Sequence, residues 1–436
     1  MDDSQKNSAF EKRLKRQVIG KPRRFLAIVP LGFESTLVQE LNEIGVETSP
    51  DENGISLYML ADDGKVEFTA KITEAWKAVA YSRIANRFLM HIADFKAENF
   101  RELEKKASEI PWELYLDNGG TAGGETAIHV TCKHSRLYHS DAVAERLAKI
   151  VPAASTPQNL YVTFLNDRCT LWLDLAGEEL YKRGHERFVN DAPLKETIAA
   201  AMLLEATNMA DGPVTLIDPM AGSGTFSLEA AYAANGLIPG RCRDFALKHQ
   251  PAFKDATWNY ITNPAHVASA RRLGQLAKIV TSDVSEKSVG IIRHNVEKSP
   301  LATPATDGSV PSIDPQRRDF FDYTAKDIAD ACTGESQPVI VLNPPYGKRL
   351  DFDAPKLYTR IGKQLAELAA ALTPLGKKLT VAILAPKDDP RPGSKFTCTA
   401  NLLRECPALD PGRNKKAMII ATSHGGIGLN TIIAKI

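Results

Sequence analysis

Three short stretches hold the residues whose types and spacing can do chemistry. In LIDPMAGSGTFSLEAA (216–231) an apolar strand ends in Asp218, a tight turn carrying Gly222 and Gly224 follows, and a helix opens near Thr225. Two positions without side chains let backbone approach a ligand at the carboxyl end of a strand, where open α/β sheets bind their ligands. Ser227 stands where GxGxxG needs its third glycine, and GxxxxGK[ST] is absent, so neither a dinucleotide nor a phosphate loop fits. A cofactor with an amino-acid moiety and a ribose fits better. Asp218 is expected to face its cationic amino group, and Pro219, Ala221, Gly222, Gly224 and Thr225 to form the turn beside it. A plain strand-to-helix turn is the competing reading.

The second stretch is KIVTSD (278–283), an apolar strand ending in Asp283. An acid at that point can accept both hydroxyls of a ribose; a surface helix cap is the alternative. The third is VIVLNPPYGKR (339–349), where Asn343, Pro344, Pro345 and Tyr346 follow an apolar strand. Consecutive prolines remove amide donors and stiffen the turn, so the Asn343 amide and nearby carbonyls can point steadily into a cleft. Such acceptors suit an exocyclic amine: they engage its hydrogens and free its lone pair for an electrophilic methyl, while Tyr346 offers a face for the base. Asn343 would align and polarise the nucleophile, with no need for a shifted pKa. A Pro-Pro turn beside a core tyrosine would look the same.

The elements that must position these residues read as alternating strands and helices from about Asp191, the mark of a parallel sheet with crossover helices. Six strands are expected: 214–218, 278–283, the weak RRDFFD at 317–322, 338–343, 379–384 and 417–422. Asp319, in the weak strand, is assigned to the cofactor set. Asp283 lies much further from the glycine turn than the roughly 20 residues of a dinucleotide domain, so residues 238–261 are read as an insertion after the first helix. Proline and serine mark 301–315 as an exposed loop.

Residues 20–180 read as mixed α+β. FLAIV (25–29) is a strand, Leu37, Val38, Leu41 and Ile44 recur at helical spacing, and Ser140 is expected to cap a helix. YVTFL and CTLWLDL form a hairpin around Asn166-Asp167.

At 436 residues and 43% hydrophobic content the chain can bury a large core, and two or three domains are expected. With 54 Lys plus Arg against 53 Asp plus Glu, no global basic excess announces a polyanion partner. Residues 12–24 hold seven basic residues and no acid, a solvated or disordered arm as readily as a nucleic-acid contact. The six cysteines are scattered, without metal-ligand spacing, so neither a disulfide framework nor a metal is expected. A polar N-terminus and the lack of a membrane-length apolar run make a cytoplasmic protein without a membrane partner the expectation.

Together, DPMAGSGT, SDVS and NPPYGKR resemble class I S-adenosylmethionine methyltransferases that modify exocyclic amines. RGHERFVNDAPLKETIAAAMLLEA, LIPGRCRDFA and CKHSRLYHSDAVAERLAKIV are similar to bacterial 23S rRNA guanine-N2 methyltransferases with a THUMP RNA-binding domain, and the likeness runs from FLAIVPLGFE onward. The resemblance implies an α/β fold. A Rossmann-like class I methyltransferase domain, doubly wound and mostly parallel, would occupy 181–436. Before it would come a basic arm (1–20), a ferredoxin-like segment (21–90) and a THUMP domain (91–180). It further implies S-adenosylmethionine as cofactor, Pro193, Leu194 and Lys195 at the cofactor cleft, and structured RNA, 23S rRNA or a large-subunit precursor, as partner. Arg23, Arg24, Lys133, Arg136 and Arg183 become candidate RNA contacts, with surface solubility as the alternative. Ala221 stands where such enzymes often carry cysteine, no second methyltransferase domain is read in these residues, and GRNKKAMIIATSHGGIGLN departs from the usual ending. Two other functions are compatible with the same motifs: a DNA adenine-N6 methyltransferase, and a non-catalytic RNA-binding factor that has kept the cofactor fold.

Overall fold

The computed structural model describes residues 3–50, 54, 57–62, 64–117, 125–190, 193–263, 276–302, 312–346, 353–391, 394 and 397–436. They form two compact units. The first takes Met1–Val29, Val38–Arg183 and Gly240–Val267; the second takes Pro30–Leu37, Gly184–Pro239 and Ala268–Ile436.

The first unit is built on seven strands: β1 (Arg23–Ile28), β2 (Met59–Asp62), β3 (Lys65–Ala70), β4 (Arg87–Lys96), β5 (Thr126–Lys133), β6 (Gln158–Leu165) and β7 (Arg168–Asp174). They form one sheet in the order β2-β3-β1-β4-β7-β6-β5, antiparallel except for the β5–β6 pair. The expected seam at residues 90 and 91 falls inside β4, which pairs with β1 on one side and β7 on the other. Asn166 and Asp167 both take positive φ, 51° and 62°, forming the expected two-residue turn between β6 and β7. Ser140 is not the cap of its helix: it is the first helical residue of Ser140–Ala148, and His139 holds the cap position without a side-chain bond.

The N-terminal arm is ordered. Asp3–Leu14 is an α-helix continuing into a π-helical turn, Lys15–Ile19, because Leu14 and Val18, four residues apart, are fully buried and pin the segment by one side. The insertion also belongs to this unit. Phe253 packs on Trp76 with ring centroids 5.5 Å apart, Gln250 Nε2 donates to Gln158 Oε1 and to the Asp174 carbonyl, and the Tyr81 hydroxyl donates to the Ile261 carbonyl.

The second unit holds β8 (Val214–Asp218), β9 (Leu276–Asp283), β10 (Pro315–Arg317), β11 (Gln337–Leu342), β12 (Thr380–Pro386), β13 (Ala417–His424) and β14 (Ile427–Lys435), in the order β10-β9-β8-β11-β12-β14-β13. The first five are parallel, and β14 runs antiparallel to both its neighbours. This is the doubly wound, mostly parallel sheet that the alternation implied, with two corrections. The weak third strand is three residues long and gives way to a 3₁₀ turn, Phe320–Asp322, because Asp319 accepts from the Phe321 amide and caps that turn. A seventh strand, β14, was not anticipated; Gly425 and Gly426, with φ of 57° and 78°, turn β13 back into it. The expected loop at 301–315 lies mostly outside the described residues.

One side of this sheet carries an apolar cluster: β12 is buried along its length, and Tyr358, Ile361 and Leu365 of the helix Ala354–Leu372 pack with Ile340, Leu342 and Ile383. The 30–37 segment makes a close approach to the edge strand β13. Gly32 comes so close to it that a Cβ would lie 2.5 Å from both the Ala421 carbonyl oxygen and Ile420 Cγ2, and its φ is +86°. Gly32→Ala is therefore expected to cost about 1–3 kcal/mol, combining left-handed strain with overpacking. Urea denaturation measures it, and an unchanged midpoint would mean that the segment does not pack on β13 as described.

Candidate active site

In the second unit the chain enters the sheet at its middle, at β8, and winds first through β9 and β10 and then through β11 and β12. That reversal puts a crevice between the carboxyl ends of β8 and β11, the place where such sheets bind ligands. A cavity of about 480 Å³ opens there.

Its floor is the glycine turn. Pro219, Ala221, Gly222 and Thr225 line it, and the nearest atom to a Cβ built on Gly222 is Asn190 Nδ2, 3.9 Å away. Gly224 serves the helix instead. With φ +80° it takes the cap position of Thr225–Ala234, and a Cβ there would meet Ile292 at 3.1 Å. Asp218 is not among the lining residues. It is fully buried, its Oδ2 accepts from the Ser227 amide and hydroxyl, and its Oδ1 has no partner. Burial pushes this carboxyl up to about 7.

Two further carboxylates lie on the wall. Asp283 Oδ2 accepts from the Gly222 amide at 2.8 Å and Oδ1 from the Ser285 amide, so it ties the β9 end to the glycine turn; the helix that follows is capped by Ser285. Asp319 lines the cavity beside Phe320 and Phe321. Opposite, Pro193 and Leu194 contribute from the segment entering the helix Glu196–Met209, while Lys195 is not among the lining residues. Asp191 and Ala192 lie outside the described residues.

The corner that holds the NPPY residues is the end of β11. Asn343, Pro344, Pro345 and Tyr346 all line the cavity, whereas Gly347, Lys348 and Arg349 lie outside the described residues. Asn343 Oδ1 is buried and has no hydrogen-bond partner among the described residues. The Tyr346 hydroxyl is 3.1 Å from His424 Nδ1, and burial pushes the phenol up to about 12. His424 is pushed below its ordinary value, first by burial and then by the charge of Lys195.

Residues 183–310 match the family of RMKL-like methyltransferase domains. The chain carries a methyltransferase domain of this kind. Residues 24–89 match the RlmL ferredoxin-like domain. A ribosomal RNA large subunit methyltransferase K/L of Syntrophotalea carbinolica is 30% identical over 370 residues, covering 79% of this chain and 47% of that protein. The chain thus spans about half the length of the curated relatives it matches. Among solved structures, SMU.472 complexed with SAH aligns with a TM-score of 0.69 at 22% identity, covering 95% of this chain and 98% of that one. An N6-adenine-specific DNA methylase, so named by prediction, from Listeria monocytogenes aligns at 0.68 and 22%, covering 94% and 96%. These two likenesses show the fold.

Around the methyltransferase cavity, several residues escaped sequence reasoning. Arg187 forms a largely buried ion pair with Glu196 and donates to Ser223 Oγ and Thr225 Oγ1. Asn295 clamps Phe188 through both backbone groups and also holds the Ser223 carbonyl. Asn190 donates to Ser288 Oγ. These bonds fasten residues 187–190 to the glycine turn and to the helix Glu286–Glu297; Arg187 and Asn190 lie in the RGHERFVNDAPLKE stretch, but nothing in its pattern gives them these roles.

In the first unit, the five candidate RNA contacts divide. Arg23 donates to the Gln17 and His91 carbonyls and to the Tyr115 hydroxyl; Arg183, 5% exposed, donates to the Leu180 and Arg83 carbonyls. Both spend guanidinium donors on backbone carbonyls; Arg183 is buried, whereas Arg23 is half-buried. Lys133 is exposed, Arg24 pairs with Glu67 over the Trp172 ring, and Arg136 pairs with Glu98.

Asp218 yields a pH-dependent prediction. The fold holds this proton up to about pH 7, whereas an ordinary aspartate loses it near 3.8. The stability linked to that proton is therefore present below the unfolded value and is lost as pH rises through the window, at up to about 1.4 kcal/mol per unit. Asp218→Asn keeps an acceptor for Ser227 and cannot ionise, so relative to wild type it should gain stability between about pH 5 and about pH 8. Urea titrations at both pH values measure this; identical pH dependence in the two proteins would show that Asp218 ionises freely inside the fold.

Proposed function

We propose that this chain transfers a methyl group from S-adenosylmethionine to an exocyclic base amine of ribosomal RNA, with guanine N2 of 23S rRNA as the acceptor. The observation that carries this reading is Asn343 Oδ1, an acceptor buried at the carboxyl end of β11 with no partner, in a cavity that Tyr346 also lines. Leaving such an atom unpaired costs about 1–3 kcal/mol. A ligand with an N–H to give removes that cost.

The residues present suit the cofactor. The open face of Gly222 admits a bulky group close to backbone, and Asp283 has lone pairs left beyond its two amide bonds to take ribose hydroxyls. Asp319, with one oxygen used by the Phe321 amide, has the other for an adenine amine, beside the apolar rings of Phe320 and Phe321. When bound, S-adenosylmethionine supplies a methyl group on a positively charged sulfur, an electrophile that needs no metal to activate it. Asn343 Oδ1 accepts a hydrogen from the target amine, holds it in line and turns its lone pair toward that methyl. Transfer would exchange the cofactor's carbon–sulfur bond for a nitrogen–carbon bond, and the proton displaced from the amine would pass to solvent.

The choice of RNA rests on the first unit. Fold alone does not discriminate, because a protein named as a DNA methylase shares it over 94% of this chain; the sequence matches of the first unit carry the choice. The RlmL ferredoxin-like match and the likeness to large-subunit rRNA methyltransferases favour rRNA. Residues 91–180 are assigned as the THUMP domain that presents the RNA, with Lys133 and Arg136 as its candidate contacts and Arg24 as one from the ferredoxin-like segment.

Asn343→Ala should leave S-adenosylmethionine affinity almost unchanged while transfer falls by about 100- to 1000-fold. Asn343→Asp, which still accepts the hydrogen bond, should be milder. Asp283→Ala should show the opposite pattern, weakening cofactor binding by at least about tenfold through loss of charge-assisted bonds worth about 1.5–3 kcal/mol. Calorimetry and single-turnover assays with labelled cofactor and rRNA, followed by nucleoside analysis, separate the two. An Asn343→Ala protein as fast as wild type, or a product methylated on carbon or ribose oxygen, would overturn the mechanism.

A further inference from the structure

Tyr346 is the one aromatic ring of the NPPY turn, and a residue far from every recognised motif holds its outer end. His424 is the last residue of β13, and its Nδ1 lies 3.1 Å from the Tyr346 hydroxyl. Two strands, β12 and β14, separate β11 from β13 in the sheet. Because β14 is antiparallel to both its neighbours, β13 recovers the direction of β12 and β11. The carboxyl end of β13 therefore comes out on the same edge as Asn343, and Gly425-Gly426 turns the chain away directly afterwards. The hairpin brings one polar side chain to the catalytic edge at that point.

We propose that His424 is a positioning residue for the methyl-accepting base: by bonding the Tyr346 hydroxyl it fixes the plane of the ring on which that base stacks. The inference rests on the base-amine reading above. Burial and the nearby Lys195 keep His424 neutral, and burial keeps the phenol protonated. With both groups neutral the pair shares one hydrogen bond, assigned with the tyrosine hydroxyl as donor to Nδ1 and the imidazole proton on Nε2. Two prolines stiffen the backbone before Tyr346 and so fix the inner end of the ring. The bond to His424 fixes the outer end. A ring held at one end only swings about its side-chain torsions and offers the base a range of planes, which misaligns the amine with the methyl.

Stacking alone would let phenylalanine replace Tyr346 without loss; an anchored ring predicts otherwise. His424→Ala and Tyr346→Phe should each slow single-turnover transfer to rRNA by about fivefold to tenfold, as expected for one hydrogen bond. The double variant should be no slower than either, since both remove the same interaction. S-adenosylmethionine affinity should stay within about twofold and the unfolding midpoint should not fall, which a merely structural role would not allow. His424→Gln, whose side-chain carbonyl can accept the phenol proton, should recover most of the rate. An independent readout is the ¹⁹F resonance of 3-fluorotyrosine placed at position 346 of the full chain: it should shift and narrow in His424→Ala and stay near the wild-type position in His424→Gln. Additive losses in the double variant, or a fluorine resonance indifferent to His424, would overturn the proposal. A wild-type chain that methylates no rRNA, but whose fluorine signal still responds to His424, would sink the functional reading and leave the anchor standing.

Discussion

An amide oxygen buried without a partner costs a fold about 1–3 kcal/mol, and it persists only where the surroundings allow no relaxation. Asn343 Oδ1 is such an atom. The surroundings are rigid for reasons visible in the sequence: β11 is almost wholly buried and paired on both sides, by β8 and by β12, so its end cannot shift. Pro344 and Pro345 then restrict φ at the two following positions. The side chain that would otherwise turn toward water or a neighbouring amide is left facing the cavity.

The other elements of the second unit can be understood as what keeps that edge in register. A parallel sheet places the carboxyl ends of its strands on one edge, so β8, β9, β10 and β11 bring Asp218, Asp283, Asp319 and Asn343 there without any special turn. What differs is how each side chain is used. Asp283 is tied to the Gly222 amide, whereas Asp218 is withdrawn behind Ser227 and fixes the start of the helix Thr225–Ala234. The antiparallel β14 lets β13 run parallel to β12 again, which brings His424 to the same edge, and Gly32 of the 30–37 segment packs closely against Ile420 and Ala421 of β13.

Much of this was legible in the sequence because it depends on local pattern. The strand ends at Asp218, Asp283 and Asn343 follow from apolar runs stopped by glycine or proline, and the β6–β7 turn from Asn166-Asp167. What escaped was set by tertiary context. The bonding of Arg23 and Arg183 depends on carbonyls far along the chain, such as those of His91 and Arg83. The π-helical arm escaped because its charge pattern concealed Leu14 and Val18. The β13–β14 hairpin did carry a local signal: Gly425-Gly426 between two apolar runs is hairpin chemistry, hidden by Thr422-Ser423-His424 before it and the further glycine, Gly428, after it. No pattern could have brought Tyr346 to His424, which are 78 positions apart.

The insertion shows the limit of reading domains as consecutive stretches. Residues after the helix Thr225–Ala234 leave the catalytic sheet and complete the first unit, where Arg243 donates to the carbonyls of Ala176, Glu178, Glu179 and Lys182 and Leu247 donates to the Leu175 carbonyl. Carbonyls just past β7 have no sheet partner and need donors, and a guanidinium offers five in one plane. Those donors come from residue 243 onward, inside the sequence span of the methyltransferase domain. The first unit therefore draws part of its hydrogen bonding and aromatic packing from chain that lies beyond β8. A cut before the methyltransferase domain would leave Phe245, Phe253 and Trp258 without the sheet and helices they pack against, so the boundary that looks natural in the sequence is not one along which the fold divides.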